Sequence, residues 1–148
     1  MTLVAIDTNV LVYAEFESDQ SKGIVAERLL EAISDRGLIP AQTIGEFLNV
    51  GRRRWPSLHD GARRQVEAYR AVFKIVPTDL DTLMAASLFA ERYRLQFWDS
   101  VIWQASRKGG ASILLTEDLQ DGFEAEGMRA LNPFIRPDWS TLAADLGI

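Results

Sequence analysis

The chain has 148 residues, is 47% hydrophobic and 25% charged, carries a net charge of −5 and contains no cysteine. That size suits one domain, residues 1–148, with a sizeable core and a soluble, globular composition. The missing cysteines exclude disulfides, thiolate nucleophiles, zinc–thiolate sites and iron–sulfur clusters and fit a reducing cytoplasm, no apolar run is long enough to span a bilayer, and the opening MTLVAIDTNVLVYAEF lacks the basic start and unbroken apolar run of a secretory signal.

The hydrophobic pattern alternates short apolar runs with helical periods. Leu3–Ile6 is expected to form a buried strand ending at Asp7, and Thr8–Glu15 a helix capped by Asp7 or Thr8. Ser21–Arg36 follows with Ile24, Val25, Leu29, Leu30 and Ile33 at helical spacing, and Gly37 is expected to end it. Leu38–Ala41 is a second expected strand. Thr43–Arg54 is an expected helix stopped by Trp55-Pro56, and Ser57–Phe73 another, with Ser57 as its cap. Lys74–Val76 is a short expected strand. Thr78 or Asp79 then caps a helix to about Arg94, and Asp99–Lys108 forms the next, ended by Gly109-Gly110. Ser112–Leu115 and Met128–Leu131 are expected strands, and Pro137–Leu146 a terminal helical piece. Such alternation predicts an α/β sandwich with a mostly parallel sheet.

Four acids stand among apolar neighbours: Asp7 in VAIDTNVLVYA, Glu46 in TIGEFLNV, Asp99 in LQFWDSVIW and Asp118 in SILLTEDLQ. A carboxylate in such surroundings is costly unless something positive meets it. Asp7 follows the first expected strand and Asp118 lies three residues past Leu115. Glu46 falls about one turn into the helix after Leu38–Ala41. In open α/β sheets ligands bind beyond the carboxyl ends of the strands, so these acids have a shared place to converge. Taken singly, Asp7 and Asp99 read equally well as helix caps and Asp118 as a turn acid. Taken together they suggest one shared cation. An all-oxygen donor set favours a hard ion such as Mg²⁺ or Mn²⁺. The single histidine, His59 in SLHDGARR, makes a histidine-based zinc site improbable and reads as a solvated surface residue. Four carboxylates on a cation would account for most of the net charge of −5, so the acidity does not exclude a nucleic-acid substrate.

The segments DTNVLVYA, TIGEFLNV, FWDSVIWQA and ILLTEDLQDG, in this order and spacing, resemble the PIN-domain ribonucleases, and among them the VapC-type toxins of toxin–antitoxin systems. The resemblance runs along nearly the whole chain. It implies a three-layer α/β/α sandwich around a central, mostly parallel sheet, and Mg²⁺- or Mn²⁺-dependent cleavage of single-stranded or looped RNA. It assigns Asp7, Glu46 and Asp99 to the first three acidic positions and leaves the fourth to Asp118, with Asp121 as an auxiliary or replacement ligand. Thr116 resembles the hydroxyl residue that supports this turn. Asn9 resembles a polar residue of the opening motif that hydrogen-bonds the acids, and reads equally as a helix-start residue. A homodimer and an antitoxin partner are implied as well. Candidate partner surfaces are the apolar faces of residues 8–15, 21–36 and 43–55. Trp55, Trp98 and Trp103 could anchor such surfaces, although core positions are the commoner use of tryptophan.

The chemistry expected is hydrolysis of a phosphodiester that leaves a 5′ phosphate and a 3′ hydroxyl. Asp7, Asp99 and Asp118 are the expected metal ligands, and Glu46 either ligates or orients water. A paired-histidine mechanism is impossible with one histidine. Arg52 and Arg53, with Arg54, and the set Arg63, Arg64 and Arg70 are candidate phosphate contacts; solvated helix termini explain them equally well. A haloacid-dehalogenase-like phosphatase is the rival enzyme, but it needs a second Asp where Asn9 stands. A catalytically inactive PIN-type binding module is the non-enzymatic rival, and the complete acidic set argues against it.

Overall fold

The computed structural model describes residues 1–148, the side chain of His59 excepted, so the expected solvation of His59 lies outside the described residues. In chain order the elements are β1 (Val4–Ile6), α1 (Thr8–Phe16), α2 (Ser21–Ala32), β2 (Gly37–Pro40), α3 (Ala41–Arg54), α4 (His59–Val72), β3 (Lys74–Val76), α5 (Leu80–Tyr93), α6 (Phe97–Lys108), β4 (Ile113–Leu115), β5 (Glu124–Ala125), β6 (Met128–Leu131) and α7 (Trp139–Leu146). The strands form one sheet in the order β3-β2-β1-β4-β6-β5. Every pairing is parallel except β5 with β6.

The central strands are continuous apolar runs because helices cover both of their faces. Val4 and Ile6 of β1 and Leu115 of β4 point into a core filled by Val10, Leu11, Leu29, Ile33, Phe47, Tyr69 and Leu142. Ala5 and Leu114, one residue out of phase, point into a second core with Phe89, Ile102, Trp103 and Ala105. The first core is thus served by α1–α4 and α7, and the second by α5 and α6. This is the expected three-layer sandwich, with period-two alternation sorting each strand residue to its layer.

Several boundaries differ from the sequence reading. The second helix stops at Ala32 rather than Arg36, and Gly37 opens β2 instead of ending the helix. A Cβ at Gly37 would lie 2.6 Å from the Phe73 ring, so this glycine serves a close approach. Ser57 caps nothing: Pro56–Leu58 is a 3-10 turn, and α4 starts after Leu58. Helix α6 starts at Phe97 and is capped by Gln96, whose side chain accepts from the Asp99 N–H. The two-residue strand β5 was not expected. It joins β6 through Glu126 and Gly127, both at positive φ (54° and 81°). This matches a tight hairpin turn, but Glu-Gly lacks the usual Asn-Gly signal.

Gly23, in the first turn of α2, is packed against the backbone of the preceding loop, where an added Cβ would sit 1.8 Å from the Glu17 carbonyl oxygen. Alanine would ordinarily gain up to about 1 kcal/mol in a helix. Here the clash outweighs that gain, and Gly23→Ala is expected to lose about 1–3 kcal/mol of stability in urea unfolding.

Candidate metal centre

Sheet order decides which residues meet. Strands β1 and β4 are neighbours, with Ile6 in register with Leu115. The chain leaves β1 toward β2 on one side, while β4 lies on the other, so the crevice beyond these two strands is the point where the strand order reverses. Asp7 and Thr116 emerge side by side there. The Asp7 N–H continues the ladder by donating to the Leu115 carbonyl at 3.0 Å, and the Thr116 N–H donates to Leu131 at 3.1 Å.

Asp7 is 3% exposed and both of its carboxylate oxygens accept hydrogen bonds. One receives the Thr8 N–H at 2.7 Å, which makes Asp7 the cap of α1. The other receives the Thr116 hydroxyl at 2.6 Å. That hydroxyl in turn accepts the Asp118 N–H at 3.1 Å, so one threonine joins the two acids. The Asp118 carboxylate accepts from Asn9 Nδ2 at 3.2 Å. Asp99, in the first turn of α6, completes the group. Ligand oxygens of Asp7, Asp99 and Asp118 all lie within 4.8 Å of one another.

Glu46 adjoins this triad on α3. Its carboxylate accepts the Thr8 hydroxyl at 2.5 Å and Gln42 Nε2 at 3.2 Å. The Thr43 hydroxyl donates to the Ile6 carbonyl at 3.1 Å and so fixes α3 against the end of β1. Asp121 does not join the group. Its carboxylate accepts the Asn132 N–H at 2.8 Å and Arg136 at 2.9 Å, which commits it elsewhere and corrects its reading as an auxiliary ligand. The cap reading of Asp99 is also corrected, since Gln96 occupies that role.

Arg52, Arg53 and Arg54 are exposed in the last turn of α3, and Arg52 leans on Asn49 at 3.4 Å. Trp103 is fully buried, Trp55 is half-buried and stacked on Phe16, and Trp98 is 45% exposed beside Phe97. Gln96 and Gln42 were missed in the sequence reading, and Thr8 was read there only as an alternative helix cap. Also missed were Tyr13, Lys22 and Glu117, which bond to one another next to the centre. Glu117 adjoins Asp118 in sequence and could have been suspected; nothing local marks Lys22.

The electrostatics of the group are those of a site lacking a positive partner. Burial pushes the Asp7 carboxyl up to about 7, partly offset by the bonds from Thr116 and Thr8 and raised further by Asp118 and Asp99. Burial and then the charges of Asp118 and Glu46 push Asp99 up to about 6. Asp118 is raised as well, chiefly by burial, with Asn9 opposing. Among the described residues, no lysine or arginine pairs with Asp7, Glu46, Asp99 or Asp118. Asn9 Oδ1 is buried beside them without a hydrogen-bond donor among the described residues. Three carboxylates, an adjoining fourth and an orphaned amide oxygen form a hard, all-oxygen donor set, which fits a divalent cation.

A family model described as PIN domain matches residues 4–124. No curated protein matches the chain. Among solved structures, a toxin–antitoxin complex from Klebsiella pneumoniae aligns at 20% identity with a TM-score of 0.65, covering 88% of this chain and 97% of that one. A Mycobacterium tuberculosis VapC20 toxin, described as cleaving the sarcin–ricin loop, aligns at 18% identity and 0.63, covering 75% and 86%. DNA-bound VapBC from Salmonella typhimurium aligns at 16% identity and 0.65, covering 88% and 97%. At these identities the likeness is one of fold.

A carboxyl group whose pKa is raised on folding favours the fold while it is protonated. The contribution is fully present below the ordinary value of 3.8 and is lost as pH rises through about 7 for Asp7. In chelator, the wild type is therefore expected to lose melting temperature relative to Asp7→Asn as pH climbs from about 4 to about 8. A pH-independent difference between the two melting curves would contradict that account of Asp7.

Proposed function

The chain belongs to the PIN-domain family, and from that membership we propose that it is a metal-dependent endoribonuclease and the toxin of a toxin–antitoxin pair. The observation that carries the reading is the meeting of Asp7, Asp99 and Asp118 within 4.8 Å, with no cationic side chain among the described residues to neutralise them. In this reading the three aspartates hold Mg²⁺ or Mn²⁺. When bound, such an ion supplies positive charge at the phosphate and acidifies water beside it.

The protein's own groups do the rest. Thr116 and the Thr8 N–H fix the two oxygens of Asp7, and Asn9 orients Asp118. Glu46, steadied by Thr8 and Gln42, is an acceptor close enough to affect Asp99 and Asp118, and it takes the proton of the attacking water. In-line displacement breaks the P–O3′ bond, the departing 3′ oxygen takes a proton from solvent, and the products carry a 5′ phosphate and a 3′ hydroxyl. Exposed Arg52 and Arg53 supply phosphate contacts.

Two surfaces suit the proposed partners. A cleft of about 700 Å³ between α1, α2 and α4 combines apolar Leu30, Tyr69 and Phe73 with Glu15, Glu27 and Glu31. Its chemistry matches an amphipathic segment bearing basic residues, as an antitoxin could provide. On α5, Leu80, Met84 and Leu88 are 70%, 61% and 70% exposed at four-residue spacing, a face suited to a second copy in a homodimer.

Cleavage of labelled single-stranded RNA and total cellular RNA tests the reading, with Mg²⁺, Mn²⁺ and chelator compared. Asp99→Asn is expected to reduce cleavage by more than about a hundredfold, beyond the loss typical of an outer-shell partner. Metal-independent cutting, or cutting that survives in Asp99→Asn, would refute it. Replacing both Arg52 and Arg53 by alanine should flatten the slope of log affinity against log salt by about 1.4, the value for two contacts on a single strand. An unchanged slope would return them to solvated helix-terminus residues.

A further inference from the structure

The segment Glu117–Asp121 holds three acids, and the structure sorts them. Asp121 is paired with Arg136. Asp118 faces Asp7 and Asp99 and pairs with no lysine or arginine among the described residues. Glu117, between Thr116 and Asp118, is committed to the helices instead. Its carboxylate accepts the Tyr13 hydroxyl of α1 and Lys22 Nζ of α2, the latter at 2.9 Å. Lys22 Nζ also donates to the Tyr13 hydroxyl oxygen at 3.4 Å. It lies 5.0 Å from the centroid of the Tyr13 ring and 5.6 Å from that of Phe134, which packs edge-on against Tyr13 at 5.1 Å.

Residues 117–120 belong to no helix or strand, so no ladder fixes the backbone that carries Asp118. Thr116 holds this segment on the side of the centre, through the Asp118 N–H. Among the described residues, Glu117 supplies its only other side-chain hydrogen bonds to α1 and α2 besides the Asn9 bond to Asp118. Adjacent acids compete for a nearby cation, and a free Glu117 could take the place of Asp118. We infer that Tyr13 and Lys22 are positioning residues that hold Glu117 aside, so that Asp118 is the carboxylate presented with Asp7 and Asp99 to a divalent cation. This inference rests on the metal-centre reading of the proposed function.

Charge and geometry predict opposite signs here, which makes the test sharp. Lys22 is a positive charge near a cation site, and simple Coulomb repulsion would make its removal strengthen cation binding. Loss of positioning would weaken binding. Mn²⁺ affinity of the purified full chain, measured by calorimetry without RNA, decides between them. Lys22→Met is expected to weaken Mn²⁺ binding about tenfold, as losses of supporting contacts do at metal sites. Lys22→Arg should restore near wild-type affinity. Tyr13→Phe should weaken binding less, and adding Glu117→Gln to Lys22→Met should cost nothing further, because both act through one contact. Lys22 is half-exposed, and an unchanged metal-free melting temperature separates positioning from general loss of structure. Equal or tighter Mn²⁺ binding by Lys22→Met would overturn the inference. So would a raised KM for RNA at saturating Mn²⁺ with unchanged metal affinity, which would make Lys22 a phosphate contact. Failure of the nuclease reading alone would show as absent cleavage with Mn²⁺ binding retained, and does not mimic either result.

Discussion

A buried carboxylate is either protonated or answered by positive charge, and at Asp7 no side chain among the described residues provides that charge. The fold gives this group what neutral chemistry can give. It receives a backbone N–H at the start of α1 and a hydroxyl from Thr116, and it stands at the favourable end of a helix dipole. These stabilise the anion, yet burial still outweighs them and leaves the carboxyl near 7. The surroundings of Asp7 are therefore organised around a charge that they do not themselves contain, and the nearby placement of Asp99, Asp118 and Glu46 compounds the deficit.

That arrangement depends on the sheet. Parallel pairing of β1 with β4 brings residues more than a hundred positions apart into register, so Asp7 and Thr116 leave the sheet together. The alternation of each strand sends Val4 and Ile6 to one core and Ala5 to the other. With both faces filled by helices, the strand ends cannot slip without burying the wrong side chains. The geometry of the centre is thus held by apolar packing beneath it, and Thr43 extends the same anchoring to the helix that carries Glu46.

Selective neutralisation does the remaining sorting. Arg136 pairs with both Asp121 and Asp145, and Lys22 pairs with Glu117. The acids in these pairs are thereby held in roles other than that of the triad. A cluster of carboxylates becomes specific when its neighbours are given their own partners as well as when its members converge. Conversely, the exposed Arg52 and Arg53 pair with no acid among the described residues, which leaves them available to an anionic ligand.

Much of this was legible in the chain. Apolar tripeptides separated by helical periods specified the layered α/β class, because a strand covered on both faces must be apolar throughout and a helix covered on one must be periodic. The acids Asp7, Glu46, Asp99 and Asp118 stood out because a charge among apolar residues is costly and needs a reason. Local sequence offered Asp7 or Thr8 as the cap of α1, and the structure selects Asp7. It also offered Asp99 as a cap, where a capping side chain and the N–H it accepts from lie three residues apart and Gln96 takes the role. Ser57 failed as a cap because Pro56 opens a tight turn first. Only the tertiary structure excluded Asp121 and revealed Tyr13 and Lys22 beside Glu117. Their partners lie 15, 104 and 95 positions away along the chain. Burial and periodicity are local in sequence and can be read there, whereas the pairing of one charge with another is decided by which strands and helices become neighbours.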